Sequence, residues 1–487
     1  QLTSGTTWHA AGLMTTFGST SETQVEMRMY TRNLYGRLEE ETGLSTGFEP
    51  IGFIELAAES DRIEEYRRVA AFNRMLGNEV EEIGPAEIQK LFPLAKVDDI
   101  KAGFYLPQDG RVNPVDGTMA LAKGARLKGV KILEGVLVTG VTTNNGRATG
   151  VTTTQGTIEA EFVVNCAGMW ARQLGALSGV CIPNQSTEHY YLITEPFEGM
   201  TRDLPIIEDP SCHGYYREET GGLMIGLFEP VCAPWMVDGV PDDFSFGEIA
   251  PDWNRMTPFL EKAMSRIPIS TEVGISKFFC GPESFTPDLG VAFGESAEIE
   301  NYFVAAGLNS IGIITGGGLG KIMAQWITTG DPGADITPIN VDRFHPYQCN
   351  PEYRKTRVVE ILGMVYRRHY PTRVPETARD CKRSPFHEHL LRERAFFTDV
   401  SGWESPAWYA PEGKEPVVEK LSWGRQNWFP YWEAEHRACR EGVIAMDMTF
   451  MGKFLVQGRD AGKVLDHISA NSVNGPVETI TYTQWLN

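Results

Sequence analysis

The 487-residue sequence is defined first by what it lacks. It has no apolar run of about 18 residues, the least a membrane-spanning helix needs, so no transmembrane helix is expected. Positive charge is scarce: 44 Lys and Arg stand against 64 Asp and Glu, for a net charge of −20. Binding to nucleic acid or to an anionic membrane surface needs basic patches that meet phosphates, so neither is an expected partner. None of the eight cysteines (Cys166, Cys181, Cys212, Cys232, Cys280, Cys349, Cys381 and Cys439) falls in a CxxC pair or in a zinc or iron–sulfur spacing. No metal is expected, and scattered thiols suit a reducing compartment. The sequence also has no initiator Met, no basic or apolar leader, and no GxGxxG loop after an N-terminal strand.

What is present suits a folded protein of several domains. A hydrophobic share of 42% and a charged share of 22% are those of a globular chain with ample core. At roughly 150 residues per domain, the length predicts about three.

Local patterns give the order of elements. Ser19-x-x-Glu22 reads as a capping box before a helix carrying Val25, Met29, Leu34 and Leu38 and ending at Gly43. GFIELA (52–57) alternates as a strand, residues 60–76 form a charged helix, and Pro114 opens another to about Lys128. Val130 to Gly168 is a series of short β-runs with a hairpin signal at Asn144-Asn145-Gly146. FVVNCAGMW then reads as strand (162–164), small-residue turn (165–168) and helix. The same syntax returns in NYFVAAGLNSIGIITGGGLGK, with a strand at 302–305 and Gly316–Gly318 opening a helix. Such turns bring backbone N–H groups to a ligand at a helix N-terminus. Two of them predict a nucleotide-binding sheet interrupted by an insertion.

That insertion, about 175–290, contains HYYLITE, GYYREE and LMIGLFE, which reads as an antiparallel sheet roofing a pocket. A basic, irregular linker follows, then a Pro/Trp-rich connector at 403–416. A last unit starts near Trp423, with a helix around 435–441 and a strand in GKFLVQG (452–458). The expected domains are 1–345, 346–416 and 417–487.

Few side chains stand out as chemistry. In SGTTWHAAG, small residues flank Trp8 and His9, so the imidazole is either ordinary packing or poised over a cofactor that the glycines let approach. His189 is either a packed strand residue or a substrate contact. Tyr215, Tyr216 and Arg217 are either cross-strand partners or a carboxylate-binding set. GPESFTPD, with Glu283, is either turn chemistry or a site loop.

LTSGTTWHAAGL, LEEETGLSTGF, VVNCAGMWA, CGPESFTPD, GLNSIGIITGGGLGK and DMTFMGKF together resemble, in order, segments of the flavin-dependent sarcosine and dimethylglycine dehydrogenases. The resemblance covers practically the whole chain. It implies an α/β fold with an α+β insert: a Rossmann-like FAD sheet of the D-amino-acid oxidase and glycine oxidase type. The antiparallel substrate domain is its insertion, and a linker domain and the start of a glycine-cleavage T-protein-like domain follow. In that family the histidine of the WHAAG stretch carries FAD through the 8α-methyl group, a role that maps onto His9. The resemblance further implies that Gly5, Thr6, Thr7, Trp8, Ala10, Val138, Cys166, Ala167, Gly168, Trp170, Gly307, Asn309, Gly312, Gly316 and Gly317 line the FAD. A helix N-terminus near the flavin's pyrimidine end would stabilise the reduced anion. Since the phosphate loop is missing, the chain is expected to be an internal piece of a longer protein that binds tetrahydrofolate through its C-terminal half.

The implied reaction takes hydride from an N-methyl carbon of a small N-methyl amino acid. The resulting iminium gives its carbon to tetrahydrofolate or hydrolyses to formaldehyde. The amine must be neutral, and His189 and Tyr216 are the candidate proton acceptors. Arg217 and Glu283 are the candidate substrate contacts, Arg217 by a bidentate grip on a carboxylate. Electron-transfer flavoprotein is the implied electron acceptor, with oxygen as the alternative. The implied location is the mitochondrial matrix in a eukaryote and the cytoplasm in a bacterium. A non-catalytic relative, the regulatory subunit of pyruvate dehydrogenase phosphatase, shares this architecture, and retention of Trp8-His9 favours the enzyme.

Overall fold

The structure, a computed structural model, describes residues 1–486 and divides into two compact units. The first comprises Gln1–Arg379 with Lys420–Gln426, and the second Asp380–Glu419 with the segment from Asn427.

Two sheets organise the first unit. One contains Ala292–Glu295 antiparallel to Tyr302–Ala306, which runs parallel to Val163–Asn165. This is the predicted strand–turn syntax: each parallel strand ends in a turn, at Cys166–Gly168 and at Gly307–Asn309. The other sheet has eight strands, in the order Ile275–Phe285, Gln185–Thr194, Gly222–Leu227, Gly214–Glu219, Ile206–Asp209, Phe53–Ala57, Ala102–Leu106 and Glu81–Ile83. All neighbours are antiparallel except Ile206–Asp209 with Phe53–Ala57. The roof sheet is therefore not confined to the insertion, since three of its strands precede residue 110.

Side chains alternate across a strand, so register decides the faces of this sheet. One face carries Ile54, Tyr190, Leu192, Ile207, Tyr216, Ile225, Phe278 and Cys280, packed against the helix Trp253–Met264. The other carries His189, Tyr191, Tyr215 and Phe279. The helix Pro351–Met364 covers this second face through Val358, Ile361 and Leu362.

Two helix starts differ from expectation. The N-terminal helix is Glu22–Thr42 with Ser21, not Ser19, as its cap: the Ser21 side chain accepts from the Gln24 amide. Gly43 closes it in the left-handed region, as the sequence implied. The late helix spans Gly312–Thr329, so Gly316–Gly318 lie inside it. The reason is packing. A Cβ built on Gly318 would sit 2.5 Å from Met27 Cα, and one on Gly317 2.9 Å from Leu34 Cδ2, so both glycines let the N-terminal helix approach closely.

In the second unit, Ala395–Val400 and Trp403–Tyr409 form a hairpin, and a helix spans Phe429–Glu441. The strand expected at 452–458 does not form. Phe454 and Leu455 stay 86% and 82% exposed, with nothing to pair or pack against among the described residues.

Gly318→Ala should therefore destabilise the protein by about 2 kcal/mol, the usual cost of overpacking against backbone. Gly320→Ala, where nothing lies within 4 Å, should be neutral or slightly stabilising through helix propensity. Urea midpoints of the two variants, compared in flavin-free protein, check the contrast.

Candidate active site

His9 ends a short 3-10 turn, Thr7–His9, held where the Trp8 amide donates to Thr3 O at 3.1 Å and the Ala10 amide to Thr7 O at 3.2 Å. Its imidazole packs 5.1 Å from the ring of Phe279 and edge-on to Trp8 at 5.4 Å. Phe279 in turn stacks on Tyr191 at 4.6 Å. Gly281 makes this possible, because a Cβ there would lie 2.8 Å from His9 Cε1. The residue opposite Gly281 in the ladder is His189. A glycine in the CGPESF strand thus lets His9 dock against the sheet face that also carries His189.

Burial pushes the His9 imidazole down to about 4, against the opposing pull of the Glu283 charge. The ring is neutral at physiological pH, and its Nε2 is buried without a hydrogen-bond partner. A neutral imidazole with a free lone pair is the nucleophilic form of histidine.

Other buried polar atoms nearby also lack partners: Trp8 Nε1, Glu283 Oε2, His189 Nδ1, Arg217 Nε and Tyr366 OH. Such a concentration points to an absent polar ligand, since buried polar groups in a finished protein are nearly always hydrogen-bonded. His189 stacks on Tyr215 at 6.4 Å and lies 4.9 Å from Phe228, which meets Tyr366 at 4.8 Å. Arg217 is only partly engaged. It donates to Glu218 O at 2.7 Å and pairs with Glu219 at 2.6 Å, leaving Nε free.

Tyr216 does not join this cluster. It points to the opposite face, fully buried in the hydrophobic core, and its hydroxyl donates to Ala263 O at 2.8 Å. Tyr215, one residue earlier, takes the inward position. Burial keeps its phenol protonated.

Sequence reasoning missed two carboxylates on the same face, Glu208 and Glu55, which lie opposite each other in the parallel ladder. Burial pushes Glu208 up to about 7 and raises Glu55 as well, while Tyr66 donates to Glu55 at 2.5 Å. The available signal was an acid at an inward position of an apolar strand, in IIED and FIEL.

A cavity of about 1520 Å³ opens beside His9. Drug-sized pockets run to about 1,000 Å³, so this one suits a dinucleotide-sized ligand. Its lining includes Gly5, Thr6, Thr7, Ala10, Val138, Cys166, Ala167, Gly168, Trp170, Glu283, Gly307, Asn309, Gly312 and Gly316. Trp8, His9 and Gly317 are not among the lining residues; the first two border it through Thr7 and Ala10, and Gly317 faces the N-terminal helix. Asn309, at φ 49°, uses its side chain to fix two turns: Oδ1 accepts from the Thr286 amide, and Nδ2 donates to Gly307 O, both at 2.8 Å. No side chain caps the helix starting at Gly312, and its first turn lines the cavity at Gly312 and Ile313.

A large cavity walled by two strand–turn–helix junctions suits a dinucleotide. The chain belongs to the FAD dependent oxidoreductase family, which it matches over residues 1–326. Residues 329–384 match the FAD dependent oxidoreductase central domain, and 386–487 the GCVT N-terminal domain. Among curated relatives, 4-methylaminobutanoate oxidase (formaldehyde-forming) of Paenarthrobacter nicotinovorans is 36% identical over all of this chain and 59% of its own length. Mitochondrial sarcosine dehydrogenase of Homo sapiens is 35% identical over all of this chain and 56% of its own. The mitochondrial pyruvate dehydrogenase phosphatase regulatory subunit of Mus musculus is 32% identical over the same shares. The chain thus spans somewhat over half the length of these relatives. Glycine oxidase from Geobacillus kaustophilus shares the fold, with a TM-score of 0.58 at 24% identity, over 70% of this chain and 89% of that one. Among the described residues no helix is long and apolar enough to cross a membrane, and no group of acidic, His or Cys side chains could hold a metal ion.

The residues present fit FAD. Small residues on two turns leave room for it, the uncapped start of the Gly312 helix lines its cavity, and a neutral His9 nitrogen lies buried without a partner at the edge. His9 also sets an acid limit on stability. Its unfolded pKa is near 6.5 and its folded value about 4, so between those values the unfolded chain binds a proton that the folded one refuses. Stability is complete above pH 6.5 and falls as pH drops towards 4, by on the order of 3 kcal/mol. In flavin-free protein, His9→Gln should flatten this slope by about one proton, measured as unfolding free energy against pH.

Proposed function

We propose that the chain carries the flavin-dependent half of an N-demethylating enzyme acting on a small N-methyl amino acid such as sarcosine or dimethylglycine. The observation that carries this reading is the buried, neutral His9 with its free Nε2, at the junction of the FAD-sized cavity and a face lined by His189, Tyr215, Arg217 and Glu283. FAD, when bound, supplies the two-electron oxidant that accepts hydride from the N-methyl carbon. His9, with its neutral and unpartnered ring nitrogen, is the residue that would tether the flavin.

The chain's other residues have separate work. A substrate amine donates hydride only when neutral, and His189, with Nδ1 free and buried, is the group that takes its proton. Tyr216 is replaced in this role by no other tyrosine, since Tyr215 is held protonated by burial and serves as a donor. Arg217 offers its free Nε to the substrate carboxylate, and Glu283 faces both the cavity and His9. The aromatic wall of Tyr191, Phe228 and Phe279 excludes water from the oxidised carbon, so transfer to a carrier competes with hydrolysis. The GCVT-type segment supports tetrahydrofolate as that carrier in the whole protein, with electron-transfer flavoprotein as the proposed electron acceptor and a matrix location in a eukaryote. Retention of Trp8-His9 sets the catalytic reading above the phosphatase-regulator one.

Anaerobic mixing of the flavin-loaded, full-length protein with sarcosine or dimethylglycine should bleach the oxidised flavin and release or transfer one carbon at the oxidation level of formaldehyde. His189→Ala should slow bleaching by about 10²–10³-fold, most severely at low pH, as expected for a lost proton acceptor. Absence of bleaching with both amines and with 4-methylaminobutanoate overturns the reading.

A further inference from the structure

Two cysteines separated by 168 residues in sequence bring their sulfurs 2.9 Å apart. Cys181 follows the short helix Ala171–Ala176, which leads out of the Cys166–Gly168 turn at the cavity. Cys349 ends the 3-10 turn Pro346–Cys349, one residue before the helix Pro351–Met364 that covers the aromatic face of the roof sheet. Both belong to the first compact unit and both are free thiols. Their separation is less than about 1 Å longer than a disulfide bond, and well inside ordinary sulfur contact.

The surroundings divide the two thiols into unlike roles. Cys181 is buried, its amide donates to Glu298 Oε1 at 3.1 Å, and its thiol points at both Cys349 Sγ and the carbonyl of His345, 3.3 Å away. Cys349 is half-buried and shares a hydrogen bond with Cys181 in which either sulfur can donate. That hydrogen bond lowers its proton affinity, and the guanidinium groups of Arg354 and Arg172 lower it further against the effect of burial. Cys181 is correspondingly raised by the same bond. Arg354 is fixed by Cys349 O at 3.1 Å, Val237 O at 3.0 Å and the Gln185 side chain, while Arg172 reaches Val237 O at 3.5 Å. One partly accessible thiol beside two guanidinium groups therefore sits against one protected thiol, the arrangement of an attacking and a resolving cysteine.

We propose that Cys181 and Cys349 form a peroxide-sensitive pair that closes a disulfide between the cofactor-binding segment and the helix roofing the substrate face. The Cys349 thiolate attacks one oxygen of hydrogen peroxide, the O–O bond breaks, and the released hydroxide takes a proton to leave as water. Cys349 becomes a sulfenic acid. The Cys181 sulfur then attacks the Cys349 sulfur, the S–O bond breaks, and the Cys181 proton leaves with the hydroxide as a second water. Two thiols are oxidised by two electrons in all, and one peroxide is reduced to two waters. The bond ties the start of the roof helix, which bears the Val358, Ile361 and Leu362 contacts to the aromatic face, to the strand entry behind the cofactor turn. Peroxide formed nearby would thereby stiffen the roof.

The test treats the purified holoprotein with a small molar excess of hydrogen peroxide, alkylates the remaining thiols and digests without reduction. Mass spectrometry should find the Cys181 and Cys349 peptides cross-linked, lighter by two hydrogens and separated by dithiothreitol, while exposed Cys439 stays alkylated. In Cys181→Ser, Cys349 should be trapped as the dimedone adduct of its sulfenic acid. In Cys349→Ser, Cys181 should remain alkylatable. Limited proteolysis between residues 340 and 351 should slow several-fold in oxidised wild type and not in either variant. The proposal is overturned if Cys439 is oxidised while both members of the pair are alkylated separately, or if wild-type Cys349 runs on to sulfinic acid with Cys181 unmodified.

Discussion

The pairing of His189 with Gly281, between the strands Gln185–Thr194 and Ile275–Phe285, is the constraint on which the rest of the site depends. A strand places alternate side chains on opposite faces, so a slip of one residue would send His189 into the hydrophobic core and bring Tyr190 onto the site face. The ten paired positions of this ladder hold that register, with a bulge only at its far end by Thr194. Gly281 then serves two purposes. It leaves the volume into which the His9 imidazole settles, and it puts His9 next to Phe279 and across the ladder from His189. The aromatic stack from Trp8 through Phe279 to Tyr191 follows from the same geometry.

Dryness follows from the packing and determines the electrostatics. The helix Pro351–Met364 seals the aromatic face, and the burial it contributes to keeps His9 neutral and Tyr215 and Tyr366 protonated. Glu208 and Glu55, adjacent on the same face, share the effect: two carboxyls this close and this buried do not both ionise readily. A site built this way suits the proposed loss of hydride and proton from a substrate. Buried polar atoms without partners at His9, His189, Arg217 and Glu283 support the same proposal.

Much of this was legible in the residues, and the failures have physical causes. His9 stood out because small residues crowd a Trp-His pair, but those residues alone left packing and cofactor contact both open. The two strand–turn units were readable because each is local: an apolar strand, a small-residue turn, a helix. Tyr216 was misassigned because GYYREE is buried on both faces, so alternation alone does not say which tyrosine meets the core. The helix start was misplaced because a triple glycine resembles a loop; only the contact of Gly317 and Gly318 with a helix nearly three hundred residues earlier explains its place inside one. Glu55 and Glu208 each left a local signal, an acid within an apolar strand, but their pairing across the parallel ladder is long-range and left none. GKFLVQG has the alternation of a strand but pairs with no strand among the described residues, and pattern without a partner makes no sheet.

The central claim is that His9 is the residue that holds the flavin. Digestion of the denatured, flavin-loaded full-length protein and mass spectrometry of the peptide containing Trp8 and His9 tests it directly. The account predicts that this peptide carries the mass of FAD on the imidazole and keeps flavin fluorescence after acid precipitation. An unmodified His9 peptide, with all the flavin left in the acid supernatant, would contradict it.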